Sequence, residues 1–328
     1  MAQGIFWKNK PVLVTGITGF VGSSLAVRLV ELGARVVGLV RDEVAQSNFH
    51  RAGVERTVTV VRGNLEDYSL LERTINEYEI EIVYHIGAQA IVGTANRSPL
   101  STFKSNIGGT WNIMEACRGK SHIQAIVVAS SDKAYGTHKD LPYREEFLLN
   151  PEYPYDVSKA CADLIARSYF KTYGLPVVVT RFANIYGPGD LNFSRIIPDT
   201  IRSVLQSKAP VLRSDGMSQR DYLYIDDVTD FYLLLVERIE ETRGEIFNAG
   251  HTQPVRVLEF VEMILRLAGR PDLRPDIQGK GNPHGEIERQ WLDGSKAKRL
   301  LGWEPRVGLE EGLRKTIEWH RAFRTSGE

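Results

Sequence analysis

"PVLVTGITGFVGSSLAVRLVELGARVVGLV", residues 11–40, sets two short β-branched runs, 11–16 and 34–40, around a stretch with apolar residues at helical spacing that ends on Gly33. Strand, helix and return strand make one β-α-β unit. At the turn out of the first run, "TGITGFVG" carries Gly16, Gly19 and Gly22 in the spacing GxxGxxG, with Thr18, Phe20 and Val21 among them. Glycines there allow a tight turn and close backbone approach, and the following helix N-terminus favours negative charge. The turn is therefore a candidate seat for a dinucleotide pyrophosphate.

The alternation continues outward. Strand-like runs at 56–63, 80–88, 123–130 and 176–187 are separated by helical patterns at 68–78, 106–118 and 157–174. Alternating strands and helices predict an α/β fold with a doubly wound parallel sheet. After "YGPGD" (186–190) the pattern breaks into helices, short extended pieces and Pro/Gly turns such as "QGKGNPHG" (278–285). The expected organisation is a dinucleotide-binding domain over 1–185, to which a segment near 221–240 returns, and a smaller mixed α/β domain over 186–328.

Lys plus Arg and Asp plus Glu both number 41 in the 328 residues, so no global field attracts nucleic acid or an anionic membrane. Only Cys117 and Cys161 are present, in neither a metal-site nor a disulfide spacing, and no metal is expected. With no apolar signal core and no run of about 18 apolar residues, the expected setting is the cytoplasm and the expected partner a small molecule.

"YPYDVSKACAD" places Tyr155 and Lys159 one helical turn apart on one face. A tyrosine titrates near 10, and bringing it to neutrality takes about 4 kcal/mol of preferential phenolate stabilisation. A neighbouring ammonium and a nicotinamide cation are suited to supply it. Ser131 closes the run 123–130, where open α/β sheets bind ligands, and can donate to the same substrate oxygen.

With these residues assembled, the chain resembles the extended short-chain dehydrogenase/reductases, and among them the nucleotide-sugar epimerases and dehydratases. The resemblance spans essentially the whole length through "TGITGFVGSSL", "VYHIGAQA", "SNIGGTWNIMEA", "SSDKAYG", "YDVSKACAD", "RFANIYGPGD", "RDYLYIDDV" and "DGSKAKRLLGWEP". It implies a Rossmann domain, a cofactor retained through turnover, a Ser131–Tyr155–Lys159 triad and a nucleotide-diphosphate sugar on the C-terminal domain. Cofactor contacts are expected from the glycine turn, Asn64, Leu65, Ile86, Gly87, Ala88, Gln89, Asn106, Tyr155 and Lys159. The usual ribose acid is replaced by Val40-Arg41, the usual Asp by Asn64 and the usual Ala by Gly87. Asp42 could serve an NAD ribose and Arg41 an NADP phosphate, so the cofactor is NAD, with NADP open.

For the substrate, Arg220 and Arg289 match the family's pyrophosphate arginines, a surface ion pair being the competing reading of each. Asn184, Arg195, Arg213 and Thr94 are further candidates, with Gln89 either on the hexose or shaping its loop. Asp132 and Lys133 follow Ser131 directly. A 4,6-dehydratase needs a base for carbon 5 and an acid for the leaving hydroxyl of carbon 6, and a Ser-Asp-Lys run resembles CDP-glucose 4,6-dehydratases. A 4-epimerase, of UDP-glucose or UDP-glucuronate type, needs only the triad. A mutually satisfied Asp132–Lys133 pair, a non-catalytic scaffold and an external reductase are the other readings. The resemblance also implies a homodimer through the helices at 106–118 and 157–174.

Overall fold

The computed structural model describes residues 3–44, 46–281 and 286–325. They divide into two compact units. The first comprises 1–135, 148–181 and 229–247, and the second 136–147, 182–228 and 248–328. The sequence pattern put a boundary near 185 and a return near 221–240; in the structure the returning segment is 229–247, and residues 136–147 group with the second unit.

The first unit is built on a seven-stranded parallel sheet of β1 (Pro11–Thr15), β2 (Arg35–Val40), β3 (Thr59–Arg62), β4 (Ile82–His85), β5 (Ala125–Ala129), β6 (Val177–Phe182) and β7 (Ile246–Ala249). Its spatial order is β7-β6-β5-β4-β1-β2-β3. Every residue of β1 is buried, as expected for a strand covered on both faces. The order reverses between β1 and β4, so the loops after these strands part and open a crevice at their C-terminal ends.

Helices α1 (Phe20–Glu31), α2 (Tyr68–Glu77), α3 (Gly109–Cys117) and α4 (Pro154–Tyr173) cover the sheet. Local chemistry sets their ends. The Asp67 side chain accepts from the Leu70 amide at 3.0 Å to cap α2. Proline opens α4, and Gly174 at φ +69° closes it. Ahead of α3 lies a π-helical turn, Lys104–Gly108, a widening typical of functional segments. Leu71, Ile75, Val83, Ile113, Met114, Ile126 and Val128 form part of one core, which also takes in Cys117. Burial pushes the Cys117 thiol up to about 12, leaving it inert at neutral pH. An ion pair is buried there too: Arg181 donates to both Asp163 oxygens at 2.8 and 3.0 Å, with its guanidinium over the Tyr135 ring.

The second unit has small sheets. Tyr222–Tyr224 pairs in parallel with Asn184–Tyr186, and Gln219–Arg220 lies between Val255–Arg256 and Arg289–Gln290. Its core includes Phe260 stacked on Tyr222 with ring centroids 4.1 Å apart. No helix among the described residues is long and apolar enough to cross a membrane.

Candidate active site

The glycine turn has no room for side chains. Gly16 sits at φ +69°, and a methyl there would lie 2.7 Å from the α-carbon of Gly87; on Gly22 it would fall 2.2 Å from the Gly16 carbonyl oxygen. Gly19 is the N-cap of α1, and its amide donates to Gly16 at 2.9 Å. A tight backbone cradle at the start of a helix fits a dinucleotide diphosphate, because the first-turn amides point outward without intrahelical acceptors. Thr18, Phe20 and Val21 belong to this cradle, and the loop Ile86–Gln89 lies after the neighbouring strand β4.

Asn106, in the π-turn, clasps that loop. Its Oδ1 accepts from the Gln89 amide at 2.7 Å, and its Nδ2 donates to the Gln89 carbonyl at 3.2 Å and to Ser158 Oγ at 2.9 Å. The Asn106 carboxamide is therefore engaged by protein groups, and its position shapes the loop. Gln89 Oε1 accepts from the Ile91 amide at 3.1 Å, and Thr94 Oγ1 from Arg97 at 3.3 Å, which are loop-shaping bonds as well.

Ser131, Asp132 and Lys133 lie directly after β5, the last two opening a 3-10 turn over Asp132–Tyr135. Ser131 and Asp132 are buried and Lys133 half-buried. Ser131 Oγ donates to Asp132 Oδ1 at 3.0 Å and accepts from the Lys133 amide at 3.2 Å. Tyr155 and Lys159 occupy the first turns of α4. Lys159 Nζ donates to the Ala129 carbonyl at 2.7 Å, and the Lys159 carbonyl accepts from Ser130 Oγ at 3.2 Å, fastening α4 to the end of β5. Ser158 Oγ, which accepts from Asn106, donates to the Tyr155 carbonyl at 2.7 Å. The strand end that bears Ser131 and the helix turn that bears Tyr155 are thus held by a polar mesh.

At the end of β2, Arg41 and Asp42 pair with each other, Nε to Oδ2 at 2.6 Å, both solvent-exposed. Asn64 Oδ1 accepts from the Glu66 amide at 3.4 Å, a turn bond, while Leu65 is buried and its carbonyl takes Asn112 Nδ2 at 2.9 Å.

In the second unit the two arginines expected at the pyrophosphate, Arg220 and Arg289, do not share a face. Arg220 is in register with Gln290, and Gln219 with Arg289. Neighbours along a strand point to opposite sides, so Arg220 and Arg289 diverge. Arg220 is buried, with Nη2 on Glu286 at 3.0 Å and Nη1 on the carbonyls of Gln219 and Glu288. Arg289 is exposed, over the Trp291 ring. Arg195 pairs with Asp190 at 3.3 Å, Arg213 is exposed, and Asn184 donates to the Asp221 carbonyl at 3.1 Å.

Comparison with known proteins adds the decisive observation: residues 13–316 match the family described as GDP-mannose 4,6 dehydratase. The chain belongs to the GDP-mannose 4,6 dehydratase family. The CDP-glucose 4,6-dehydratase of Salmonella typhimurium is 32% identical to this chain, over 97% of this chain and 92% of its own length. The UDP-glucose 4-epimerase of Thermotoga maritima, solved with UDP-glucose, superposes with a TM-score of 0.88 at 30% identity, over 97% of this chain and 100% of that one. The dTDP-glucose 4,6-dehydratase of Bacillus anthracis, solved in complex with NAD, gives 0.84 at 28% identity, over 95% and 97%. The GDP-mannose 4,6 dehydratase family is one of enzymes, and the resemblance to extended short-chain dehydrogenase/reductases holds across the chain.

One electrostatic feature of this family member is measurable directly. Burial lowers the Lys159 ammonium from 10.5 to about 8. Between those two pH values the unfolded chain binds more protons at this residue than the folded one, so stability rises with pH there. Below pH 8 the buried charge costs ~3 kcal/mol. Lys159→Met removes that cost and loses one hydrogen bond worth about 1 kcal/mol. In nucleotide-free protein the variant should unfold at higher denaturant than wild type at pH 7, and its advantage should vanish as pH rises from 8 to 10.5. A wild-type-minus-variant difference that is flat with pH would contradict the buried-ammonium account.

Proposed function

We propose that the protein is an NAD-dependent nucleotide-sugar 4,6-dehydratase, with CDP-glucose the first substrate to test. The observation that carries this reading is the Ser131–Asp132–Lys133 run at the end of β5, fastened to the turn of α4 that holds Tyr155 and Lys159. It supplies a redox triad and an acid/base pair at one strand end, and a 4-epimerase has no use for the pair.

The glycine turn Gly16–Gly22 would hold NAD, which would supply the hydride acceptor for sugar carbon 4 and the hydride donor for carbon 6. Tyr155 takes the proton of the 4-hydroxyl, and the Lys159 charge lowers the cost of the phenolate. Ser131 has one hydroxyl proton, which it donates in a hydrogen bond to Asp132 Oδ1. Turning that hydrogen bond to the sugar oxygen releases Asp132, which acts in its acid form: its own carboxyl proton passes to the departing 6-hydroxyl, and the proton taken by Tyr155 restores it at the end of the cycle. The Lys133 amine takes the proton of carbon 5, which the 4-ketone has acidified, water leaves, and Lys133, after exchange with solvent, returns a proton to carbon 5 as hydride reaches carbon 6. In the second unit Arg220 is the proposed ligand of the substrate's diphosphate, with Glu286 the partner it would exchange.

The experiment is product analysis in deuterated water across a panel of nucleotide-diphosphate glucoses. Dehydration should give a 4-keto-6-deoxy sugar labelled at carbon 5. A label-free carbon 4 epimer with no deoxy product would replace this reading by the epimerase one, which the likeness to the Thermotoga maritima epimerase favours.

A homodimer and a cytoplasmic setting complete the proposal. Trp111 on α3 and Leu164 on α4 are each about half exposed, at 52% and 53%, on helices fit to pair across a two-fold axis. Trp111→Glu with Leu164→Glu should halve the mass seen by light scattering. An unchanged mass would remove these helices from the interface.

A further inference from the structure

One buried residue outside every assignment above is His85, the last residue of β4. Its Nδ1 lies 3.1 Å from Thr15 Oγ1, at the end of β1, and its Nε2 lies 3.0 Å from Thr110 Oγ1 on α3. The hydroxyl protons fix the direction of both bonds. Thr110 donates its single proton to the Asn106 carbonyl at 2.6 Å, so it can only accept from His85. Thr15 accepts from the Gly87 amide at 2.9 Å, and its proton is left for His85 Nδ1. The imidazole that satisfies every partner is neutral with its proton on Nε2. Burial first, and the Lys159 charge second, lower its protonation from 6.5 to about 3, in keeping with a ring that stays neutral.

We propose that His85 is a positioning residue, a neutral joint locked in the Nε2–H form that ties the dinucleotide turn on one side to Asn106 and the Tyr155 helix on the other. The Nδ1 arm reaches Thr15, next to Gly16, and through Thr15 holds Gly87 against the glycine turn. The Nε2 arm runs through Thr110 to Asn106, whose amide reaches Ser158 and so the Tyr155 carbonyl. One arm therefore serves cofactor seating and the other the register of the catalytic phenol. This inference rests on reading the turn as the NAD seat and Tyr155 as the base.

The two arms can be cut separately. Asn at position 85 can keep an acceptor where Nδ1 stands, and Gln a donor where Nε2 stands. His85→Gln should weaken NAD binding roughly tenfold and change kcat less, whereas His85→Asn should lower kcat roughly tenfold and change NAD affinity less, at saturating sugar. Both variants moving the two quantities alike, or lowering only the thermal midpoint, would overturn the proposal. Should either fail to fold, ¹⁵N histidine resonances of the wild type decide it: neutral Nε2–H imidazole near neutral pH supports the joint, and the Nδ1–H form or an imidazolium refutes it. Failure of the dehydratase reading would appear separately, as absence of sugar turnover with NAD affinity and the tautomer intact.

Discussion

Tyr155→Phe should cut sugar turnover by roughly 10³-fold or more while NAD and the nucleotide sugar still bind. The substitution keeps the ring at the first turn of α4 and deletes only the oxygen proposed to exchange a proton with the 4-hydroxyl. Positioned proton transfer contributes about 10²–10⁴-fold, and every later step depends on the ketone that this step creates. NAD binding should survive because the proposed diphosphate seat is backbone at Gly16–Gly22. The check is kcat against the dissociation constants of both ligands. Turnover within tenfold of wild type would remove Tyr155 from the chemistry, whereas loss of binding alongside turnover would mean that the helix start had shifted.

The double variant Asp132→Asn, Lys133→Met divides the reaction instead of stopping it at the outset. On the proposed assignment, oxidation at carbon 4 uses Ser131, Tyr155 and Lys159, all retained, whereas elimination uses the acid and the base that the changes remove. On adding substrate, reduced nicotinamide should accumulate to nearly one per site, and the deoxy product should fall by about 10³-fold. Wild type should show no such build-up, since its hydride is returned. Continued carbon 4 epimerisation by the double variant would leave Asp132 and Lys133 as structural neighbours and give the scaffold to an epimerase.

The sheet could be read from the chain because its first six strands are apolar runs rich in β-branched residues, four of them followed by a helical pattern, and the glycine turn lies between β1 and α1. Ser131, Tyr155 and Lys159 could be read as candidates for a similar reason: Tyr155 and Lys159 are local in sequence, and Ser131 follows a strand-like run. What the chain did not disclose depends on long-range register. Arg220 and Arg289 read as a pair, yet their strand neighbours Gln290 and Gln219 put them on opposite faces. Asn106 read as a cofactor contact, and its amide is engaged by Gln89 and Ser158. His85 was passed over because a histidine closing an apolar strand carries no local signal. Its partners Thr15 and Thr110 come from two other elements. The short helix Gln3–Trp7 was also unread, its Trp7 being buried and bonded to Glu237 far along the chain.

The last strand of the sheet, β7, reaches its place only after residue 246 has been made. Until then the outer edge of β6 offers unpaired amides and carbonyls to whatever strand is near. During synthesis at roughly 5–20 residues per second, the stretch between β6 and β7 keeps that edge open for several seconds. A nascent chain in that interval is a target for strand addition by a neighbour on the same message, so soluble yield depends on how quickly translation crosses this stretch and on holdase capacity, as well as on the stability of the finished fold.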